Sequence, residues 1–444
     1  MIFFCPVDPK TLIDCHMLQI IILSLLLTST LWAIDGNLPA SLSPEERLRL
    51  DEIGALREVT PPPEGTFNLL AEYDLADGVI FSWSNNYSVL IRDLITAVSL
   101  SDTAYVVVAN TATASSVSGL LSSNGADLSR VQFMIYSLNS VWIRDYGPWW
   151  GLDAMGRRGI VDFIYNRPRP LDDGFPQVLA EEWEIPYYGP DLVHPGGNFI
   201  VDGHGRAFAT TLVQAENSNL NYAQLSEVFR DYAGVDSLVL LTPMQNDGTG
   251  HIDMFCKLLN DSTFILGEYA TPGDGSGNNY TILNQNAALL SGIPSSTGRP
   301  FNVERIHMPP YSGGVSYTYT NSLIINNTVL VPVYGFDTDA AALELYEDLM
   351  PGYTVLGFDS NIIIPANGAI HCITKLAMAE RPLECISGDL NQDLQVNVQD
   401  VVMLVGILMG SLETTPEMFC AGDLNGDDLL NVQDVVVLIQ QILD

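Results

Sequence analysis

Three short segments of this chain concentrate reactive side chains: Trp142-Ile143-Arg144-Asp145-Tyr146-Gly147-Pro148, Gly250-His251-Ile252-Asp253 and Asn367-Gly368-Ala369-Ile370-His371-Cys372-Ile373-Thr374. Together they offer a thiol, two imidazoles and two carboxylates. No paired Cys or Cys/His spacing accompanies them, so a zinc site has little support. A thiol protease needs one Cys and one His and leaves a carboxylate over. A guanidinium uses the whole set, because it is a planar cation whose N–H donors carboxylates can grip in bidentate fashion. Its carbon is a poor electrophile, which suits a thiolate nucleophile and a proton donor for departing ammonia.

These segments lie in a stretch that alternates short apolar strands with helical patterns. Gly78–Trp83, Tyr105–Val108 and Val131–Ile135 read as strands. Hairpins are predicted to turn at Asp202-Gly203-His204-Gly205, Asn260-Asp261 and Asn326-Asn327, since Asn, Asp and Gly tolerate the positive φ of tight turns. Helices fit over Tyr222–Tyr232 and Thr338–Met350. Repetition of strand, hairpin and helix predicts an α/β domain built from internal pseudo-repeats. Before it, residues 34–67 are acidic, contain Pro61-Pro62-Pro63 and read as an N-terminal linker. Ile20–Leu27 is an apolar run ending near Ala33, too short for a membrane span and suited to an export signal over residues 1–33. Met17 is an alternative start that would remove Cys5 and Cys15. No later segment is apolar enough to span a membrane. An exported chain can keep disulfides, and Cys385 and Cys420 are the candidate pair. Cys256 reads as a buried core thiol.

The C-terminus repeats itself. Gly388-Asp389-Leu390-Asn391-Gln392-Asp393 recurs as Gly422-Asp423-Leu424-Asn425-Gly426-Asp427, and the match continues through Asn397-Val398-Gln399-Asp400 and Asn431-Val432-Gln433-Asp434. Side-chain oxygens fall at Asp389, Asn391, Asp393, Asn397 and Asp400, and at Asp423, Asn425, Asp427, Asn431 and Asp434. Gln395 and Leu429 would add backbone carbonyls. Such an oxygen cage suits Ca2+. This region resembles a type I dockerin, a small all-α calcium-binding domain here placed at 386–444. The resemblance implies two calcium ions and a cohesin-like partner. The sixth loop residues, Leu394 and Asp428, depart from the usual Gly. Val398-Gln399 and Val432-Gln433 depart from the small hydroxyl pair of cellulosomal dockerins.

The three reactive segments resemble the guanidino-group-modifying (pentein) superfamily, and specifically bacterial peptidylarginine deiminases related to agmatine deiminases. The most specific stretch is Gly159-Ile160-Val161-Asp162-Phe163-Ile164-Tyr165-Asn166-Arg167-Pro168-Arg169-Pro170. Gly196-Gly197-Asn198-Phe199, Tyr319-Thr320-Asn321-Ser322-Leu323 and Met350-Pro351-Gly352-Tyr353 also match. The resemblance implies a five-bladed α/β propeller over residues 68–380. It assigns Cys372 as nucleophile, Asp145 and Asp253 as guanidinium ligands and His251 as the acid that becomes a base. Asn321 would shape the site and Trp142 would pack on substrate. Arg167 and Arg169 would hold the carboxylate of a C-terminal arginine. Agmatine has no carboxylate, and His194-Pro195 stand where agmatine deiminases tend to have Glu, so peptidylarginine is the expected substrate. Agmatine or free arginine deimination is the alternative, and a non-catalytic guanidinium-binding scaffold a third. No cofactor is expected for catalysis.

The chain carries 18 Lys and Arg against 53 Asp and Glu, a net charge of −35. That excess argues against nucleic acid and anionic membrane surfaces as partners. Peptide or protein arginine as substrate and a secreted or cell-surface location fit it. His371 and Arg144 read as supporting groups, and Trp149-Trp150 as core.

Overall fold

The computed structural model describes residues 38–381 and 385–443, so the export-signal segment, with Met17, Cys5 and Cys15, lies outside them. The hairpins form where the turn residues predicted them. Leu323–Ile325 and Thr328–Val333 pair antiparallel across Asn326-Asn327, with Asn326 at φ 47. Cys256–Asn260 pairs with Thr263–Glu268, and Ile200–Val201 with Arg206–Thr210. After each hairpin a helix returns the chain to a parallel third strand. Tyr222–Ala233 leads to Ser237–Leu241, Asn279–Leu290 to Asn302–His307 and Thr338–Leu349 to Thr354–Asp359.

Among the described residues the strands lie in five sheets of three or four strands. In one, Trp149–Asp153 and Arg158–Val161 form the hairpin and Tyr187–Tyr188 the parallel strand. Another joins distant parts of the chain. Thr374–Met378, the domain's last strand, pairs antiparallel with Ala76–Ser82 near its start. The covering helices are amphipathic. Ser88–Ser99 buries Leu90, Ile91, Leu94, Ile95 and Val98, a spacing of three and four that makes one apolar stripe. Each such side chain contributes about 1.5–3 kcal/mol on burial.

For the site, the decisive feature is how each hairpin is entered. A single helical turn leads into one strand in each of four sheets: Ile143–Tyr146 into Trp149–Asp153, Gly196–Asn198 into Ile200–Val201, Ile252–Met254 into Cys256–Asn260 and His371–Ile373 into Thr374–Met378. The hairpin starting at Leu323 is entered from a bend at 319–321. Asp145, Asp253, Asn321 and Cys372 all sit on these entries, so the pseudo-repeat presents distant residues from equivalent positions.

Residues 38–66, expected as a linker, lie against the domain. Ala40 and Glu46 are buried, and Arg57 pairs with Asp162 and Asp173. The C-terminal repeats form helices Val398–Leu408 and Val432–Leu443, with a further helix, Pro416–Gly422, between them. Asn397 caps the first of these in a box with Asp400. Leu394 and Asp428 adopt φ of 66 and 60, the left-handed conformation for which Gly is favoured. The buried apolar core here is small: Leu390, Leu404, Ala421 and Leu438. A disulfide between Cys385 and Cys420, 35 residues apart, staples it; closing a loop of that length stabilises by about 3–4 kcal/mol. Among the described residues no helix is long and apolar enough to cross a membrane.

Candidate active site

The expected catalytic residues converge on Gly197. A Cβ at that position would lie 2.6 Å from His251 Nδ1, 2.7 Å from Asp145 Oδ1 and 3.1 Å from Asp253 Oδ2. Its amide donates to Asp145 Oδ1 at 3.0 Å. Only glycine lets two carboxylates and an imidazole approach the same backbone so closely. Asp145, Asp253 and His251 are nearly inaccessible. His251 Nδ1 is 3.4 Å from Asp145 Oδ1, yet neither ring nitrogen makes a hydrogen bond, and Asp253 Oδ1 is likewise unpartnered. Unsatisfied buried polar atoms are costly, and here they mark where a polar ligand belongs.

Cys372 stands on the same cluster, its thiol 3.8 Å from Asp253 Oδ2. Asn321 fixes it: the side-chain amide donates to Sγ at 3.2 Å, while Asn321 Oδ1 accepts from Ala369 N–H at 3.0 Å. Gly368 packs against Trp142 and Cys372, where a Cβ would lie 2.5 Å from the Trp142 ring and 3.0 Å from Sγ. Burial, reinforced by the charges of Asp253 and Asp145, pushes the Cys372 thiol well above its usual range.

A second layer of charge stands behind Asp253. His371 Nδ1 lies 2.7 Å from Asp253 Oδ2 and Nε2 lies 2.6 Å from Glu72 Oε2. Glu72 also accepts from Lys257 Nζ at 2.6 Å and lies 3.3 Å from Arg144 Nη2. Burial, with Arg144 and Lys257, pushes His371 toward its neutral form. Its two carboxylate partners, however, need a proton on both ring nitrogens, and we assign the imidazolium on that geometry. Burial alone would raise Asp253, but the His371 hydrogen bond and the charges of His371, His251 and Arg144 hold it below the usual carboxylate range. Lys257, His371 and Arg144 likewise keep Glu72 well below it against burial. A cavity lies on this rear side, bounded by Glu72, Arg144, Asp253, Lys257 and Lys375.

Glu72 and Lys257 were missed in the sequence. A signal existed for Lys257, a charge inside the otherwise apolar strand Cys256–Asn260. Lys375 is the same anomaly in Thr374–Met378, buried over the Trp149 ring at 3.6 Å. Arg144 and Asp145 share the helical turn Ile143–Tyr146, and Arg144 turns to Glu72 while Asp145 meets the Gly197 amide. His194 is a core histidine packed edge-on among Phe163, Phe199 and Phe229, and burial lowers it to about 3. Cys256 is a buried thiol, as expected.

Trp142, Arg167 and Arg169 are buried too, but their polar atoms face the N-terminal segment. Trp142 Nε1 donates to Leu38 O at 2.7 Å, and Arg167 Nε to Ala40 O at 2.9 Å. Arg169 is gripped by Glu46, with Nε to Oε1 at 2.6 Å and Nη2 to Oε2 at 3.1 Å.

In the C-terminal loops the carboxylates turn onto backbone amides. Asp389 accepts from Asp393 and Leu394, and Asp423 from Gly426, Asp427 and Asp428. Asp400 and Asp434 occupy matching buried places, accepting from Asn391 and Asn397 and from Leu424 and Asn431. Among the described residues no group of three or more His, Cys, Asp or Glu is arranged to hold a metal ion.

Residues 74–377 match the Porphyromonas-type peptidyl-arginine deiminase family, more than half of the chain. The chain belongs to that family. It is a guanidino-group deiminase of the peptidylarginine and agmatine deiminase kind, and residues 387–443 match the dockerin type I domain. An agmatine deiminase of Stutzerimonas stutzeri is 26% identical over 284 residues, 55% of this chain and 76% of the relative. A Vibrio parahaemolyticus protein provisionally named agmatine deiminase is 26% identical over 287 residues, 56% of this chain and 78% of its own. Among solved structures, a Porphyromonas gingivalis protein provisionally named arginine deiminase superposes with a TM-score of 0.63 at 24% identity, covering 70% of this chain and 98% of that one. The fold is that of the pentein-type deiminases.

Two outcomes follow from this geometry. Gly197→Ala lowers kcat/KM for the best guanidino substrate about 100-fold by displacing the acids, with an unchanged far-ultraviolet circular dichroism spectrum. In the free enzyme Cys372 is a thiol at neutral pH, because its raised pKa favours the protonated form below it. Inactivation by iodoacetamide therefore keeps rising with pH through about 9, and a plateau below pH 8 would contradict this state.

Proposed function

We propose that the chain is an exported peptidylarginine deiminase, converting arginine at or near a peptide C-terminus to citrulline and ammonia. The observation that carries this reading is the set of unpartnered buried atoms on Asp253 and His251, gathered with Asp145 around Gly197, with Cys372 Sγ 3.8 Å from Asp253 Oδ2. In the mechanism, Asp145 and Asp253 accept the guanidinium N–H groups and centre its carbon on Cys372. The incoming cation offsets the carboxylate charges that disfavour the thiolate. As the thiol proton passes to His251, sulfur attacks the guanidinium carbon. His251 then returns that proton to the leaving nitrogen, and ammonia departs from a Cys372 thiouronium. Water, deprotonated by His251, adds to the same carbon; the C–S bond breaks, the added hydroxyl's proton passes to the leaving sulfur as citrulline forms, and His251 gives up its proton to solvent, where the ammonia becomes ammonium. Asn321 holds Sγ in line throughout. The five sheets are read as blades of a propeller with this site at its centre, a reading supported by the pairing of the domain's first and last segments.

Arg167 and Arg169 are assigned to the substrate carboxylate. Deimination of agmatine is the second reading, favoured by the names of the relatives and by Arg169 being held by Glu46. For the C-terminal domain we propose two Ca2+ sites. Asp389, Asn391, Asp393, Gln395, Asn397 and Asp400 would hold one ion. Asp423, Asn425, Asp427, Leu429, Asn431 and Asp434 would hold the other, the all-oxygen donor set being that of a hard cation. The partner would be a cohesin-type protein. Val398, Val402 and Met409, matched by Val432, Val436 and Leu443, give both helices an exposed apolar ridge. A disulfide in this domain fits an extracellular or cell-surface location.

The deciding assay compares a peptide ending in arginine with agmatine. The peptide is expected to have the higher kcat/KM, and Cys372→Ala should abolish turnover of both. Arg167→Ala should lower kcat/KM for the peptide at least about tenfold and leave agmatine within about twofold. Agmatine preference in the wild type would establish the second reading. For calcium, a chelator should lower the melting temperature of the C-terminal domain in the full chain and leave deimination unchanged; lost turnover would place the ion in the catalytic domain.

A further inference from the structure

The three groups assigned to the substrate, Trp142, Arg167 and Arg169, each donate to one and the same segment. Three successive carbonyls face three donors: Leu38 O takes Trp142 Nε1, Pro39 O takes Arg169 Nη2 at 2.8 Å and Ala40 O takes Arg167 Nε. A carboxylate, Glu46, completes the set by a bidentate grip on Arg169, with side chains of 1% and 5% exposure. The segment also reaches the nucleophile's own loop, because Ala40 N–H donates to Ala366 O at 3.0 Å. A run of main-chain carbonyls with a carboxylate is what a peptide C-terminus would present to these residues.

Glu46 has an ordinary local role as well. It closes a reciprocal box with Ser43, accepting from Ser43 N–H at 2.9 Å while its own N–H donates to Ser43 Oγ at 3.2 Å. That box orients the carboxylate but does not require Arg169. Farther along, Arg57 donates to Phe163 O at 2.8 Å and pairs with Asp173, and Thr60 bonds Gly189. Between the two anchors Leu48 and Leu56 are more than four-fifths exposed, and Arg49 Nη2 donates to Pro168 O at 3.4 Å.

We propose that residues 38–46 are an internal mimic of the peptide substrate. They occupy the carboxylate subsite of Arg167 and Arg169, so that an incoming peptide must displace Glu46 from Arg169. This rests on the peptidylarginine reading above. The segment thereby tunes specificity, since only a substrate with its own carboxylate competes with Glu46 for the guanidinium.

The test uses the full chain. Glu46→Gln removes the competing charge, and KM for a peptide ending in arginine is expected to fall about tenfold, with kcat unchanged and agmatine KM within about twofold. A parallel measurement needs no change in the segment. In Cys372→Ala, saturating peptide should speed hydrogen–deuterium exchange of residues 38–46, and agmatine should not. An unchanged peptide KM, an equal fall for both substrates, or unaltered exchange at saturating peptide overturns the mimic. If agmatine is turned over and the peptide by neither wild type nor Glu46→Gln, the peptide reading itself fails and the mimic falls with it.

Discussion

The structure depends on keeping two carboxylates, Asp145 and Asp253, buried beside one another and beside a thiol. Like charges out of water repel strongly and lose hydration. The fold offsets this with a balanced interior: Asp145, Asp253 and Glu72 stand against Arg144, Lys257 and the His371 imidazolium. A guanidinium and a thiolate add to that balance as a neutral pair. Such a buried network is weak evidence for stability, since apolar packing of the same volume often does as well. It fits a different purpose, which is holding Asp253 ionised and oriented while Asp253 Oδ1 stays unpartnered.

Repetition of one supersecondary unit solves the positioning problem. Because each hairpin is entered through a tight turn, residues more than two hundred positions apart reach the same point without long loops. Rigid strands behind these turns fix the side chains more closely than free loops could. Lys257 shows how the site extends into the sheets: it follows Asp253 by four positions and carries charge into an otherwise apolar strand.

The segments 142–148, 250–253 and 367–374 made the guanidinium chemistry legible before any coordinates, because two carboxylates, a thiol and a histidine suit few other ligands. Turn residues located the hairpins, and the doubled Asp/Asn pattern marked the C-terminal repeats. Glu72 stayed hidden, since a single acid in Leu70-Ala71-Glu72-Tyr73 has no spacing to distinguish it. Gly197 was marked only as part of the matching Gly196-Gly197-Asn198-Phe199; the three side chains crowding it are what reveal that a methyl group cannot fit.

The acidity of the chain divides in the same way. Ten Asp and Glu lie between Gly388 and Asp444 with no Lys or Arg, and that the first of each repeat could serve as cation ligands was legible from register alone. Residues 34–67 looked like a tether because composition reports polarity and not contact. Tertiary structure decided that Leu38, Pro39, Ala40 and Glu46 lie on Trp142, Arg167 and Arg169. Local sequence sets residue type and spacing, and so determined which chemistry the chain carries. Which donor meets which acceptor across more than a hundred residues is set by packing, because hydrogen bonds and ion pairs form between neighbours in space whatever their separation along the chain.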